Sequence, residues 1–218
     1  MPATLIVNEI CHTIQGEGAR AGRPCALVRL TGCNLRCNWC DTRYAYDEGR
    51  EIPLEEVLAE VRRMGRRCVL VTGGEPLLQQ GTPELLSRLC DAGHEVLLET
   101  NGSQDVSGVD PRVIRCVDIK CPGSGQADSF LPANLASLRS SDEVKFILAD
   151  QRDYQFARRT VEKHDLASRC SVFLTPAAGL VEPATLANWI LADPDPPGDV
   201  RLGLQLHKVI WPEADRGV

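Results

Sequence analysis

The sequence predicts an α/β fold in which a curved parallel sheet forms a partial (β/α) barrel. Short runs rich in Val, Ile and Leu show little polar alternation, as strands covered on both faces do. Amphipathic stretches with recognisable ends separate these runs in the order β-α-β-α-β, with a further β-α-β later. The elements are too few for a closed eight-fold barrel, so the barrel is expected to stay open.

Strands are expected over 26–30, 68–71, 96–98, 113–119, 144–148, 171–174 and 200–206. Pro53 suits a first helical position. Behind it Leu54, Val57, Leu58, Val61 and Met64 form one apolar stripe, which Gly65 can stop. Thr82-Pro83 opens a second helix with Leu85, Leu86 and Leu89 inward and Gly93 as its stop. A less clearly patterned helix is expected over 153–163. Pro183 opens another, carrying Leu186, Trp189 and Ile190. Loops are expected over 101–111 and 121–132, and 194–198 reads as a turn. No repeat or low-complexity tract interrupts the chain, so residues 1–218 are expected to form a single domain.

A chain of 218 residues can bury a sizeable core without staples. Its net charge of -6 argues against a nucleic-acid partner, and no Lys/Arg run carries interleaved aromatics. No apolar run approaches the roughly 18–20 residues of a membrane span. The N-terminus lacks the basic and apolar segments of a signal peptide. A cytoplasmic location is therefore expected. Ten cysteines are many for such a protein. Most are scattered (Cys11, Cys25, Cys68, Cys90, Cys116, Cys121, Cys170), and their simplest role is as small buried apolar residues.

The exception is Gly32-Cys33-Asn34-Leu35-Arg36-Cys37-Asn38-Trp39-Cys40-Asp41-Thr42, spaced C-x3-C-x2-C directly after the first expected strand. Thiolates suit iron–sulfur clusters or zinc. A structural zinc site needs four protein ligands. No second C-x2-C pair is present, and no histidine lies near the trio. Three cysteines leave one iron of a 4Fe–4S cluster open for chemistry. A zinc site completed by a distant Cys or His, or a disulfide-forming loop, are the alternatives. The next strand runs into Thr72-Gly73-Gly74-Glu75-Pro76, where glycines allow close backbone approach and Glu75 adds a carboxylate. Later strand ends carry Glu99-Thr100-Asn101, Asp118-Ile119-Lys120 and Thr175-Pro176. Ligand turns in barrel-like α/β folds lie at such ends.

The cysteine spacing, with Trp39 before its last member, resembles the radical S-adenosylmethionine (SAM) superfamily. The resemblance implies a 4Fe–4S cluster on Cys33, Cys37 and Cys40, whose open iron takes SAM and yields a 5′-deoxyadenosyl radical. It assigns SAM contacts to Trp39, Cys40, Asp41, Gly74, Glu75, Glu99, Asn101, Asp118, Ile119, Lys120, Thr175 and Pro176. The N-terminal Ile14-Gln15-Gly16-Glu17-Gly18, Arg29, Cys40-Asp41-Thr42, Gly73-Gly74-Glu75-Pro76 and the late His207-Lys208 narrow it further. Together they resemble the 7-carboxy-7-deazaguanine synthase family along nearly the whole chain. That family turns 6-carboxy-5,6,7,8-tetrahydropterin into 7-carboxy-7-deazaguanine, with release of ammonia, for queuosine-type deazapurines.

By this resemblance Ile14, Gln15, Gly16, Glu17, Arg29, Thr72 and His207 bind the pterin, with Arg29 facing its carboxylate. Thr42 is a ligand of Mg2+, a hard ion held by few protein groups. His207 or Lys208 closes the pocket, or else lies on a solvated strand end. The resemblance also implies an electron donor such as flavodoxin or ferredoxin, and a homodimer. Activating enzymes of glycyl-radical proteins share some of these motifs, and a zinc-binding interaction module is the non-enzyme alternative. Some family members end soon after the His-Lys segment and bring the chain terminus to the substrate. Here the chain runs on from Val209 to Val218, so no terminal contact is carried over.

Overall fold

The computed structural model describes residues 3–214, 216 and 217. A nine-stranded sheet has the order β3-β1-β2-β4-β5-β6-β7-β8-β9. Strands β1 (Thr4–Ile14), β2 (Pro24–Leu30) and β3 (Arg50–Pro53) come first; β1 runs antiparallel to both β2 and β3. From β2 onward every pairing is parallel. The chain passes through β4 (Cys68–Gly73), β5 (Glu95–Thr100), β6 (Ile114–Asp118), β7 (Glu143–Leu148), β8 (Ser171–Pro176) and β9 (Val200–Leu202).

Helices α1 (Leu54–Met64), α2 (Thr82–Asp91), α3 (Gln151–His164), α4 (Leu166–Arg169) and α5 (Pro183–Ala192) connect the parallel strands. The expected α1 stripe is largely buried, and Gly65 ends the helix in the left-handed region at φ 64°. Asp150 caps α3 by accepting the Asp153 N–H at 2.9 Å.

The sheet departs from the sequence reading at its margins. Strands β1 and β3 were not expected, and the segment 200–206 does not form one strand. It leaves the sheet after Leu202, and Leu206–Ile210 forms a short helix, α6. His207 therefore sits on a helical turn, not a strand end. Glycine 203 still reaches back, its N–H bonding Leu174 O at 2.7 Å.

Strand periodicity divides the core. Residues of one parity, such as Val28, Val71, Leu98, Phe146 and Leu174, pack outward under the helices. Residues of the other parity line the inside. There Cys25, Leu27, Cys68, Leu70, Leu97, Ile114 and Cys116 form an apolar floor. Cys25, Cys68, Cys116, Cys121 and Cys170 are buried, as expected of small apolar residues, whereas Cys11 and Cys90 are half-buried.

Curvature follows from contacts across the interior. In a flat sheet β1 and β7 would lie five strand spacings apart, about 24 Å. Yet Glu17, just beyond β1, forms an ion pair with Lys145 of β7. Arg20 likewise joins Glu95 of β5 at 3.0 Å and Glu143 of β7 at 2.9 Å. The outside of β6 is tied by a different network. Asp142 is fully buried and accepts bonds from the guanidinium groups of Arg115 and Arg139. Burial opposes its ionisation, but those two arginines hold its carboxyl below the ordinary range.

Candidate active site

The inward residues above the apolar floor line a cavity of about 790 Å³ at the C-terminal ends of the parallel strands. The cysteine loop forms one wall. Cys33, Cys37 and Cys40 are half-buried free thiols that all face this cavity. Gly32 N–H bonds Ala45 O at 2.8 Å, and Asn38 Nδ2 donates to Gly123 O at 2.9 Å, so two neighbouring segments brace the loop. Cys33 Sγ accepts from Leu35 N–H at 3.4 Å and lies 3.9 Å from Asn101 Nδ2. Three soft donors on one wall, with N–H groups aimed at a sulfur, fit an iron–sulfur cluster. Burial raises the Cys33 and Cys37 thiols above their ordinary range, so binding iron would displace their protons. Among the described residues no three His, Cys, Asp or Glu groups converge to hold a single metal ion.

The Gly73-Gly74 turn passes directly beneath this loop. A Cβ at Gly74 would lie 2.6 Å from Cys33 Cβ and 2.7 Å from the Gly32 carbonyl carbon. Glu75 N–H bonds Gly32 O at 2.7 Å and closes the crossing. Glu75 itself does not line the cavity. Its carboxylate is 0% exposed and accepts from Leu77 N–H at 3.0 Å, Asn101 N–H at 2.7 Å and the Thr100 hydroxyl at 2.9 Å. The expected direct contact with SAM is therefore replaced by a bracing role beneath Asn101.

Three more expected residues fall outside the lining. Ile119 points outward into the core beneath the helices. Thr175 is buried, with its hydroxyl against Gly203. Pro176, the last residue of β8, is buried as well. Thr175 shares the inward face of its register partner Ile147, which lines the cavity, but the Gly203 backbone packs against its hydroxyl and covers it.

All the other expected residues meet in the cavity: Ile14, Gln15, Gly16, Glu17, Arg29, Trp39, Asp41, Thr42, Thr72, Gly74, Glu99, Asn101, Asp118, Lys120 and His207 join the three cysteines. Polar pairs organise them. Glu99 accepts from the Thr72 hydroxyl at 3.0 Å and from Gln15 Nε2 at 3.4 Å. Lys120 Nζ bonds Asp118 Oδ2 at 2.8 Å, while Asp118 Oδ1 is buried without a partner among the described residues. Burial opposes the Lys120 charge, but Asp118 outweighs it and raises its pKa. Thr42 donates to Asp41 Oδ1 at 2.9 Å, and Lys208 lies 3.4 Å from Asp41 Oδ2. Burial disfavours the Asp41 charge, yet Lys208 and the Thr42 bond bring its pKa below the ordinary range.

Arg29 Nε bonds Glu9 at 2.6 Å, and its guanidinium lies 5.7 Å from the centre of the Tyr44 ring. Among the described residues its two terminal nitrogens have no hydrogen-bond partner, so they remain available to a ligand. Helix α6 covers part of the rim, with Leu206 N–H on Gly16 O at 2.9 Å. A Cβ at Gly16 would run into the His207 imidazole. Burial lowers the His207 pKa below its ordinary 6.5, which keeps the ring neutral near pH 7.

The late segment folds back over this rim. Arg216 makes a two-pronged ion pair with Glu48 at 2.7 and 2.9 Å and lies 4.3 Å from the Tyr44 ring centre, while Ala214 lines the cavity. Sequence reasoning missed Lys145, Tyr44 and Gln205, all of which line it too. Lys145 had a signal. In Glu143-Val144-Lys145-Phe146 charged residues alternate with apolar ones, marking an inward polar face.

Comparison with known proteins agrees with this geometry. Residues 27–115 match the Radical SAM superfamily. A protein of Koribacter versatilis named 7-carboxy-7-deazaguanine synthase is 42% identical, covering 97% of this chain and 99% of its own. One of the same name from Chlorobaculum tepidum is 44% identical, covering 99% and 98%. The chain belongs to the 7-carboxy-7-deazaguanine synthase family. The crystal structure of QueE from Escherichia coli shares the fold, with a TM-score of 0.75 at 24% identity over 93% of this chain and 94% of that one. Among the described residues no helix is long and apolar enough to cross a membrane.

Proposed function

We propose that this protein is a carbon–nitrogen lyase converting 6-carboxy-5,6,7,8-tetrahydropterin to 7-carboxy-7-deazaguanine with release of ammonia. One observation carries the reading. A single cavity joins the three cysteine thiols to a wall of amide, carboxylate and guanidinium groups suited to a carboxylated heterocycle. When bound through Cys33, Cys37 and Cys40, the 4Fe–4S cluster and SAM supply a 5′-deoxyadenosyl radical able to remove a hydrogen atom from the substrate.

The chain's own groups do the holding. The free nitrogens of Arg29 receive the substrate carboxylate, a pairing that favours two parallel bonds. Gln15 and Glu17 meet the amide and amino edge of the pterin. Neutral His207 covers the ring, with Ile14 and Gly16 beside it, and Thr72 faces the substrate while Gly74 faces SAM. The Thr42 hydroxyl offers one oxygen to Mg2+, whose hard oxygen preference suits it. Trp39, Asp41, Gly74, Glu99, Asn101, Asp118 and Lys120 surround SAM, and the unpaired Asp118 Oδ1 accepts a donor from it. The chain acts as one domain in the cytoplasm, consistent with ten free cysteines. It works as a homodimer, and a flavodoxin or ferredoxin supplies its electrons.

The conversion needs no net electrons, so SAM is used catalytically. The test is anaerobic turnover of substrate deuterated at the carbon bearing the carboxylate. Label should pass into recovered SAM, with many products formed per SAM. Stoichiometric SAM consumption with the pterin untouched would overturn the function.

A further inference from the structure

The segment after β1 and the inner face of β7 carry charges of opposite order. Along β7, Glu143 and Lys145 point inward two residues apart. Facing them, Lys145 pairs with Glu17, and Glu143 takes both the Arg20 guanidinium at 2.9 Å and the Ala19 N–H at 3.1 Å. The two rungs pin residues 17–20 across the barrel interior. A two-residue slip of β7 would set Glu143 against Glu17, and a one-residue slip would turn both charges out of the barrel, so the rungs fix register as well as distance.

The upper rung differs from the lower one. Glu143 is buried beneath the segment, whereas Glu17 and Lys145 line the cavity, with side chains 12% and 15% exposed. Glu17 Oε2 takes Lys145, and Oε1 takes Gln205 Nε2 at 2.8 Å. A carboxylate offers about four acceptor positions over its two oxygens. Each oxygen of Glu17 thus keeps a lone pair for a ligand donor, and its plane is fixed from both sides. Burial disfavours the Lys145 charge, but Glu17, Glu99 and Asp118 hold its pKa well above the ordinary value.

We propose that Lys145 is a positioning residue for substrate binding: with Gln205 it orients the Glu17 carboxylate toward a ligand edge bearing two adjacent N–H donors. The proposal rests on the pterin reading above, since the 2-amino-4-oxopyrimidine edge of a pterin is such an edge. Lys145 touches Glu17 and not the reacting carbon, so its loss is felt in binding and not in the chemical step.

The test uses the reconstituted holoenzyme, assayed anaerobically at saturating SAM with the carboxypterin varied. Lys145→Met should raise KM by about 10- to 100-fold, the effect of stripping a buried carboxylate of one charged partner. The kcat, the iron content and the rate of SAM cleavage without substrate should stay at wild-type values. Lys145→Arg should recover most of the loss. Calorimetric titration of the pterin should show the same ratio in Kd, independently of turnover. Should Lys145→Met fail to fold, Gln205→Leu removes the other Glu17 bond from a half-buried position, with an expected KM increase of about 10-fold. An unchanged KM and Kd in the folded variants overturns the proposal, as does a fall in kcat at constant KM. Absence of wild-type turnover would instead sink the functional reading, and calorimetry would still decide the clamp.

Discussion

Gly74→Ala is the sharpest test of how the cavity is assembled. The added Cβ would stand 2.6 Å from Cys33 Cβ and 2.7 Å from the Gly32 carbonyl carbon. Non-bonded carbons prefer about 3.5 Å. The crossing must therefore open by about 0.9 Å. It is held shut by Gly74 N–H on Leu30 O at 3.2 Å and Glu75 N–H on Gly32 O at 2.7 Å. Opening the shorter bond to roughly 3.6 Å takes it out of hydrogen-bonding range. Losing that bond in a buried place costs about 1–3 kcal/mol. Cys33 moves with the crossing, and a displacement near 1 Å at a reactive site costs on the order of 100-fold in rate. Anaerobic reconstitution, iron and sulfide analysis and turnover are the assays. Expected results are reduced iron per chain and turnover down by about 100-fold. Wild-type iron content, melting temperature and turnover together would refute the reasoning, because the two loops would then not be in contact.

Four further outcomes are expected. Cys37→Ala should abolish iron binding and turnover, whereas Cys90→Ala, remote from the cavity, should leave iron content intact; chemical iron analysis decides. Thr42→Val should lower magnesium-dependent turnover while SAM still binds, as read by the effect of SAM on the cluster's electron paramagnetic resonance spectrum. His207, with a lowered pKa, must take up its proton in a buried place as pH falls. Its imidazole resonances should titrate with a midpoint below 6.5, and stability held above that pH should be lost through the midpoint. Asp142→Asn should cost about 3–5 kcal/mol, because it leaves buried Arg115 without its counter-charge. That corresponds to a fall in Tm of roughly 6–20 °C by calorimetry, with KM unchanged.

The cysteine wall was legible because its chemistry is written in local spacing. The Gly73-Gly74 turn was legible as a site, but for a different reason than the one expected. Its glycines admit the backbone of the cysteine loop, and nothing in the local sequence specifies which chain passes there. Glu75 shows the same limit. A carboxylate beside two glycines suggests a ligand contact, yet it is consumed by Thr100 and Asn101, whose proximity depends on the parallel pairing of β4 with β5. Thr175 and Pro176 were placed at the right strand end, but the segment after β9 packs Gly203 against the inward Thr175 hydroxyl, a contact that no local pattern announces. Lys145 escaped notice because its partner Glu17 is far away in sequence and is met only through curvature. Strand β1 was overlooked because Asn8, Glu9, His12 and Thr13 interrupt its apolar residues. Half of those positions face the cavity side, where polarity is functional.

An unclosed barrel has two unpaired margins, and exposed margins are templates for the strands of other molecules. Here both are blunted. The outermost strand β3 has four residues, and Arg50, Glu51 and Pro53 lie exposed on it. At the other margin β9 has only three residues, with Arg201 exposed at its centre. Proline lacks a donor for a further ladder, and so short an edge offers an incoming strand few bonds. The molecule can therefore keep a wide mouth for a nucleoside-sized ligand without inviting edge-to-edge aggregation.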